Sequence, residues 1–425
     1  MKTLFIARQT NLFEQFANPQ FKISEDYQII DQVLENEEII LELSKDFPDV
    51  STGRNRTPTE QILRFLILKH QRGLSYRDLE RTLKVNLEDR WFCKIAENAP
   101  CFKTIQNQLV CINEKTIKAI NNRVMREAIK LKLTRGKKMR VDSTVTEANI
   151  HYPADAGLIA DSIRVITKNL AKFKIIPKGY RNFKRKIKQQ LNIIRTIGRR
   201  NKEAREQAVR KIIKMGKTVA RKIKQTKKRV IKKHRKILEK IIEQGEQALA
   251  GEKIQDRIVS IFEPTARPIP KGKASKKCEF GQEVQIQEDE HFITNWQINN
   301  KTSDKKFFPQ ALKKHKRIFQ KPPNETATDR GYWSLKNNKI AKKEIKHVSI
   351  PKKGKLNKQE KEYQSTPKFK QLQRWRAGGE AKISLLKRKY RLGQCRYRGN
   401  DGMARWIGGG ILACNLMTMA RLLSS

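Results

Sequence analysis

The sequence predicts a mixed α/β chain in which a long basic helical segment interrupts a sheet domain, behind an all-helical N-terminal part. Three observations carry this. Apolar residues recur at helical spacing through residues 57–135. Period-two alternation appears at 138–148 and returns at 279–286 and 292–298. Between these stretches, positions 161–260 hold 32 Lys/Arg against 8 Asp/Glu. The expected partition is a helical domain at 1–135, a sheet domain at 136–154 and 258–425, and a basic helical insertion at 155–257.

In chain order, Thr57-Pro58-Thr59-Glu60 combines a capping box with proline at the first helical position. The helix that follows is marked by Ile62, Leu63, Leu66 and Ile67. Gly73 breaks it, and Ser75 caps a second helix through Leu79 and Leu83. Two short helices across a glycine turn are compatible with helix-turn-helix DNA binding, and equally with a scaffold or dimer contact. A third helix runs from about Glu114 to Leu133. In the first strand, Val141 and Val145 alternate with Asp142 and Thr144, which places Asp142 on a polar face. The basic segment repeats apolar residues at spacings of three, four and seven, as an antiparallel pair of long amphipathic helices would. Its cationic faces have few acidic residues among them, which favours phosphate contact over mere solvation. A hairpin follows, with Glu288-Asp289-Glu290 at its turn. Then come a helix with Leu312, a strand ending at Asp329, a helix capped by Ser334, a strand at 345–350, a helix with Glu380 and a last apolar helix at 403–423. Apart from the insertion, this order is what an RNase H-like α/β domain requires.

A formal net charge of +51 on 425 residues implies self-repulsion that a polyanionic partner would offset. Nucleic acid is that partner by preference, because nothing points to a membrane. Residues 1–21 lack a basic-then-apolar signal pattern. The apolar run from Trp406 to Ala420 falls short of the roughly 20 residues a span needs. The six cysteines form no C-x-x-C pair and no zinc-like spacing, as expected of thiols in a reducing cytosol.

Three acidic residues stand out by context: Asp142 in Val-Asp-Ser-Thr, Asp329 in Ala-Thr-Asp-Arg-Gly-Tyr, and Glu380 in Trp-Arg-Ala-Gly-Gly-Glu-Ala-Lys. Arg376, Glu380 and Lys387 match a signature in which the glutamate follows Tyr-x-x-Arg-x-x-x and precedes six residues and a lysine. Gln373 stands where that signature has tyrosine. At 100° per residue a continuous helix would present Arg376, Glu380 and Lys387 on one face, although Gly378 and Gly379 weaken continuity. Such glycines would admit backbone or DNA at close range. With these motifs the chain resembles bacterial insertion-sequence transposases of the DDE type, over most of its length. Lys271-Gly272-Lys273 with Glu279-Phe280-Gly281 and Val284 resembles the second strand of their domains, and Asn149-Ile150-His151-Tyr152-Pro153 a loop of one subgroup.

The resemblance implies an RNase H-like catalytic domain and an active centre of Asp142, Asp329 and Glu380. It implies two divalent ions, Mg²⁺ or Mn²⁺, with Asp142 bridging both and the other two carboxylates each holding one. Water would first free a 3′ hydroxyl at the element end, and that hydroxyl would then attack target DNA. Arg376, Lys387 and Arg330 are the candidate DNA contacts. Glu147, Asp155 and Asp161 read as surface or cap residues, and His151 as a loop residue. The expected partner is double-stranded DNA, at element ends and target, with a homodimer in the DNA complex and a cytoplasmic, nucleoid-associated location. Three other readings stand beside this one: a decayed transposase that only binds DNA, a nuclease that cuts without joining, and a structural RNA-binding protein. Charge alone supports the last, and it leaves the three carboxylates unexplained.

Overall fold

The structure is a computed structural model that describes residues 3–6, 22–48, 56–96, 98–197, 201–273, 276–299 and 303–424. The chain divides into two compact units, Met1–Thr146 with Glu283–Ser425, and Glu147–Gln282. Among the described residues, seven helices precede the first strand: α1 Glu25–Leu34, α2 Glu37–Ser44, α3 Thr59–Gln71, α4 Tyr76–Val85, α5 Leu87–Phe92, α6 Phe102–Cys111 and α7 Glu114–Lys130. Strand β1 covers Lys138–Ala148. Then follow α8 Asp155–Lys172, α9 Lys184–Ile197, α10 Lys202–Lys222 and α11 Arg229–Leu249. Strands β2 Arg267–Lys273, β3 Lys276–Glu288 and β4 Ile293–Asn299 lead to α12 Asp304–Phe319 and β5 Glu325–Thr328. Helix α13 Leu335–Glu344, strand β6 His347–Ser349, helices α14 Lys358–Ser365, α15 Pro367–Ala377 and α16 Gly379–Arg388, strand β7 Gln394–Cys395 and helix α17 Gly399–Leu423 complete the chain.

In the first unit, α17 is the core helix. It is long and apolar enough to cross a membrane by length and composition, yet it is buried among the other helices. Its three consecutive glycines mark close approach. A Cβ on Gly409 would lie 2.6 Å from the His70 ring, and one on Gly410 would lie 2.2 Å from Leu392. Asn415 is fully buried on this helix and fully used. Its amide donates to Asn121 and to the Ile293 carbonyl, both at 2.8 Å, and its oxygen accepts from Ile293 N–H at 3.0 Å. One core polar residue thereby fixes the start of β4 against α7 and α17.

Helix α3 begins one residue later than the sequence suggests. Pro58 occupies the N-cap itself, and no side chain caps the helix. The expected capping box is absent because its acceptor is committed elsewhere: Glu60 is buried in ion pairs with Arg64 and Lys94, each at 2.6 Å. The open amides of Thr59 and Glu60 bond instead to the carbonyls of Thr3 and Leu4 at 3.0 and 3.1 Å. Ser75, by contrast, forms the capping box of α4 with Asp78.

The sheet of the first unit runs β3-β1-β5-β6, with β4 on β3 and β7 on β1. Strands β1, β5 and β6 are parallel neighbours. Strands β3 and β4 form the expected antiparallel hairpin, turned by Asp289, whose carboxylate accepts the N–H groups of His291 and Phe292. Met139 and Val141 of β1 pack on Phe307, Phe308 and Leu312 of α12, together with Val348 of β6.

In the second unit the described residues form α8 before Pro177 and three helices after it, where an antiparallel pair is expected. Ile159, Ile163 and Ile166 of α8 share a core with Ile212 and Val219 of α10 and Leu238 and Ile241 of α11. Ile187 is the one buried residue of α9. Lys271–Lys273 lies in a separate strand, β2, antiparallel to the start of β3, so the expected single second strand is two. His151 lies 3.4 Å from Asp161 in its loop, whereas Asp155, the first residue of α8, does not cap the helix: its carboxylate accepts from Gln244 and pairs with Arg257 at 2.6 Å.

Candidate active site

The parallel pairing of β1 and β5 brings two of the candidate carboxylates together. Its register sets Val141 opposite Thr328, so the residues that follow, Asp142 within β1 and Asp329 just past the end of β5, are neighbours. Neighbouring strands lie ~4.8 Å apart, so the two carboxylates share a neighbourhood where the β1–β5 pairing ends, Asp142 in mid-strand and Asp329 just past β5. The third candidate, Glu380, is exposed in the first turn of α16.

The ionisation of Asp142 registers the other two. Burial pushes its carboxyl above the usual carboxylate range; the Ser143 N–H and Arg376 pull it back, while the charges of Asp329 and Glu380 push it up. Its Oδ1 accepts the Ser143 N–H at 2.8 Å, and Arg376 Nη1 donates to Oδ2 at 3.2 Å. Asp329 accepts from the Arg330 N–H at 2.6 Å. Arg330 is exposed.

Helix α15 packs on β5 and β6 and is tied down by Arg140, which the sequence did not advertise, and by Gln373. Arg140 shares the Asp142 face of β1, two residues earlier. Its Nε donates to Glu288 at 3.0 Å, its Nη1 donates to the Trp375 carbonyl at 3.0 Å, and its guanidinium lies 5.0 Å from the centre of the Trp375 ring. Gln373 Nε2 donates to the Ser349 carbonyl and hydroxyl at 3.0 and 2.9 Å, and more weakly to the Thr328 carbonyl. Its Oε1 accepts from Arg376 Nε at 3.3 Å. The residue in the tyrosine position thus joins the ends of β5 and β6 to the arginine that holds Asp142.

The helix carrying the signature is not continuous. It stops at Ala377 and restarts at Gly379, with Gly378 a turn residue between. The single-face expectation therefore holds only within α16, where Lys387 follows Glu380 by two turns and is half-buried. The close approach at the glycines comes from within the protein: a Cβ on Gly379 would lie 3.1 Å from Arg140 Nε. A side chain there would press on the guanidinium that anchors α15.

Further acidic residues surround the centre. The hydroxyl of Tyr332 is buried without a hydrogen-bond partner among the described residues. Burial first, then the charges of Asp304, Asp142, Glu283 and Asp329, raise its pKa well above the phenol range. An acidic pocket in so basic a chain is a local inversion of charge. Glu283 and Asp304 gave no signal in sequence, because they lie on separate elements with no motif. Among the described residues no three His, Cys, Asp or Glu side chains stand close enough to hold one metal ion.

Two family models match the chain: Transposase domain (DUF772) over residues 17–108, and Transposase DDE domain over residues 255–416. The second match contains Asp329 and Glu380 and begins after the helical insertion, so Asp142 lies outside it. No curated protein and no solved structure matches the chain. Two transposase domains in this order span more than half of the residues, and the chain belongs to the insertion-sequence transposases of the DDE type.

Proposed function

We propose that this transposase cuts and joins DNA at Asp142, Asp329 and Glu380. It hydrolyses the phosphodiester at each element end and passes the freed 3′ hydroxyl to target DNA. The observation that carries the reading is the β1/β5 register, which sets Asp142 beside Asp329, with Glu380 acting on the ionisation of Asp142.

The donor set fits the family's divalent-metal requirement. Three carboxylates offer hard oxygen ligands suited to Mg²⁺ or Mn²⁺. Asp142, Asp329 and Glu380 would together hold two such ions. Such ions supply an activated water and charge neutralisation at the scissile phosphate. Arg376 holds the Asp142 charge in the free protein and is positioned to turn to DNA phosphate once that carboxylate is engaged. Lys387 on the Glu380 face of α16 and exposed Arg330 are the further phosphate contacts. In the proposed partition, residues 1–135 contribute DNA end binding and dimer contact, 136–154 and 258–425 the chemistry, and 155–257 phosphate contact. Two active sites are needed on paired ends, so the DNA complex is a homodimer, working in the cytoplasm on nucleoid DNA.

The test uses purified protein and a supercoiled plasmid carrying the element's ends. Mg²⁺-dependent end cleavage and joining are expected. Asp142→Asn should lose both, by at least about a thousandfold, while keeping DNA affinity. An active Asp142→Asn protein would overturn the assignment, and cutting without joining would favour a simple nuclease.

A further inference from the structure

A second site lies in the first unit, at the turn between α3 and α4. A cavity of about 520 Å³ opens there, lined by Lys69, Arg391, Arg396, Arg398 and Arg405, with no carboxylate among its lining residues. Of these, Lys69 is buried and Arg405 half-buried, while Arg391, Arg396 and Arg398 are exposed; elsewhere in this unit several buried or half-buried cations are ion-paired, Arg64 with Asp31 and Glu60, Arg72 with Glu88 and Asp89, Arg140 with Glu288. Among the described residues the five cations of the cavity have no ion-pair partner. Arg405 Nε is buried with no hydrogen-bond partner, although its Nη1 donates to the Ile112 carbonyl at 3.2 Å.

The arrangement is held in place at some cost. Lys69 is buried, donates to the Leu74 carbonyl at 2.7 Å, and lies 4.9, 5.2 and 5.4 Å from the ring centres of Tyr76, Trp406 and Tyr397. Burial, and then the charge of Arg396, draw its pKa down to about 8, against the smaller opposing pull of Asp78 and Cys395. Arg391 adopts a left-handed backbone at φ 60°, and Gly73 one at φ 63°. A Cβ on Gly73 would fall 2.7 Å from Arg391 Nε, so the glycine lets that guanidinium cross the turn. Strained backbone and unpaired like charges persist where the surroundings enforce them, and they cluster at functional sites.

We propose that this cavity is a second DNA site, which takes a backbone phosphate of the duplex apart from the catalytic carboxylates. Guanidinium forks match phosphate oxygens in geometry, and one anion would relieve the mutual repulsion of five cations. The contact is made through phosphate at the α3–α4 turn, so it positions DNA without reading its bases. The inference rests on the DNA-acting reading above for the identity of the anion.

The test is binding of a labelled duplex of arbitrary sequence across a salt series, with arginine modification by phenylglyoxal read by mass spectrometry. Arg396 and Arg398 are exposed. Arg396→Ala with Arg398→Ala should weaken binding about tenfold and flatten the log–log salt slope by about 0.9 for each phosphate no longer neutralised. A control of equal charge loss on α7, Lys115→Ala with Lys130→Ala, should have a smaller effect. Duplex DNA should protect Arg391, Arg396 and Arg398 from modification in the unaltered protein. An unchanged slope, an equal weakening in the control, or equal modification with and without DNA would overturn the proposal. Plasmid cleavage with unprotected arginines would sink this site alone. Protected arginines without cleavage would sink the catalytic reading alone.

Discussion

At the scale of single residues, Gln373 shows how one substitution can keep a scaffold. Its amide donates to Ser349 and Thr328 and its oxygen accepts from Arg376, so both ends are used. Gln373→Ala should leave Arg376 free to wander from Asp142. We expect about a tenfold loss of end cleavage, ~1.4 kcal/mol in the barrier, with DNA affinity held. Parallel cleavage and anisotropy measurements check this, and an equal fall in affinity would show a merely structural role. Asp142 carries a second prediction. Its folded-state pKa lies above the ordinary value, so its ionisation costs stability above that folded pKa, and the cost vanishes as pH falls below the unfolded value. Asp142→Asn should therefore melt higher than the parent at pH 7, with the gain shrinking toward pH 4.5 in calorimetry. A lower melting point at pH 7 would mean that the Arg376 pair outweighs burial and repulsion.

At the scale of elements, two helices depart from simple rules and both departures have partners. Pro309 lies inside α12 and cannot donate to the Lys305 carbonyl. Asn337 Nδ2 donates to that carbonyl instead, at 2.8 Å, and binds α13 to α12 in doing so. The break at Gly378 similarly serves Arg140, which needs the space at Gly379. Helix α12 also carries His315, fully buried, with Nε2 3.0 Å from the Gly136 carbonyl. Burial first lowers its pKa to about 4, and the Gly136 bond opposes this. The unfolded chain then binds a proton that the fold refuses, so stability is lost as pH falls from about 6.5 toward 4. The loss should reach about 3 kcal/mol at most. His315→Gln, which can still reach Gly136, should flatten denaturant-measured stability between pH 7 and pH 4.5, and an unchanged slope would place the acid sensitivity elsewhere.

At the scale of the whole molecule, charge is the dominant property, and the second unit concentrates it. Deleting its helices would strip the apolar face of α8, whose Ile159, Ile163 and Ile166 lie in a shared core. Neutralising exposed cations is the cleaner experiment. Lys184, Arg185, Lys186 and Lys188 are exposed on α9. Replacing all four with Gln should leave the melting temperature nearly unchanged and reduce the DNA salt slope by up to about 3.6. An unchanged slope would mean that α9 does not touch DNA.

Much of this protein was legible in its sequence because the signals are local. Strand β1, the β3–β4 hairpin, the Ser75 and Ser334 caps and the burial of α17 follow from periodicity, turn chemistry and composition within short windows. The candidate carboxylates could be singled out there too, through the Arg376, Glu380 and Lys387 spacing, the strand around Asp142 and the strand end at Asp329. The tertiary structure decided what depends on distant partners. The register of two strands almost 190 residues apart sets Asp142 beside Asp329. Arg140 passes close to Gly379 beside the break in the signature helix, and the commitment of Glu60 to buried ion pairs removes a capping box. The cationic cavity joins the α3–α4 turn to residues 391–406. No local pattern encodes such pairings, because their free energy comes from surfaces that meet only once the chain has folded.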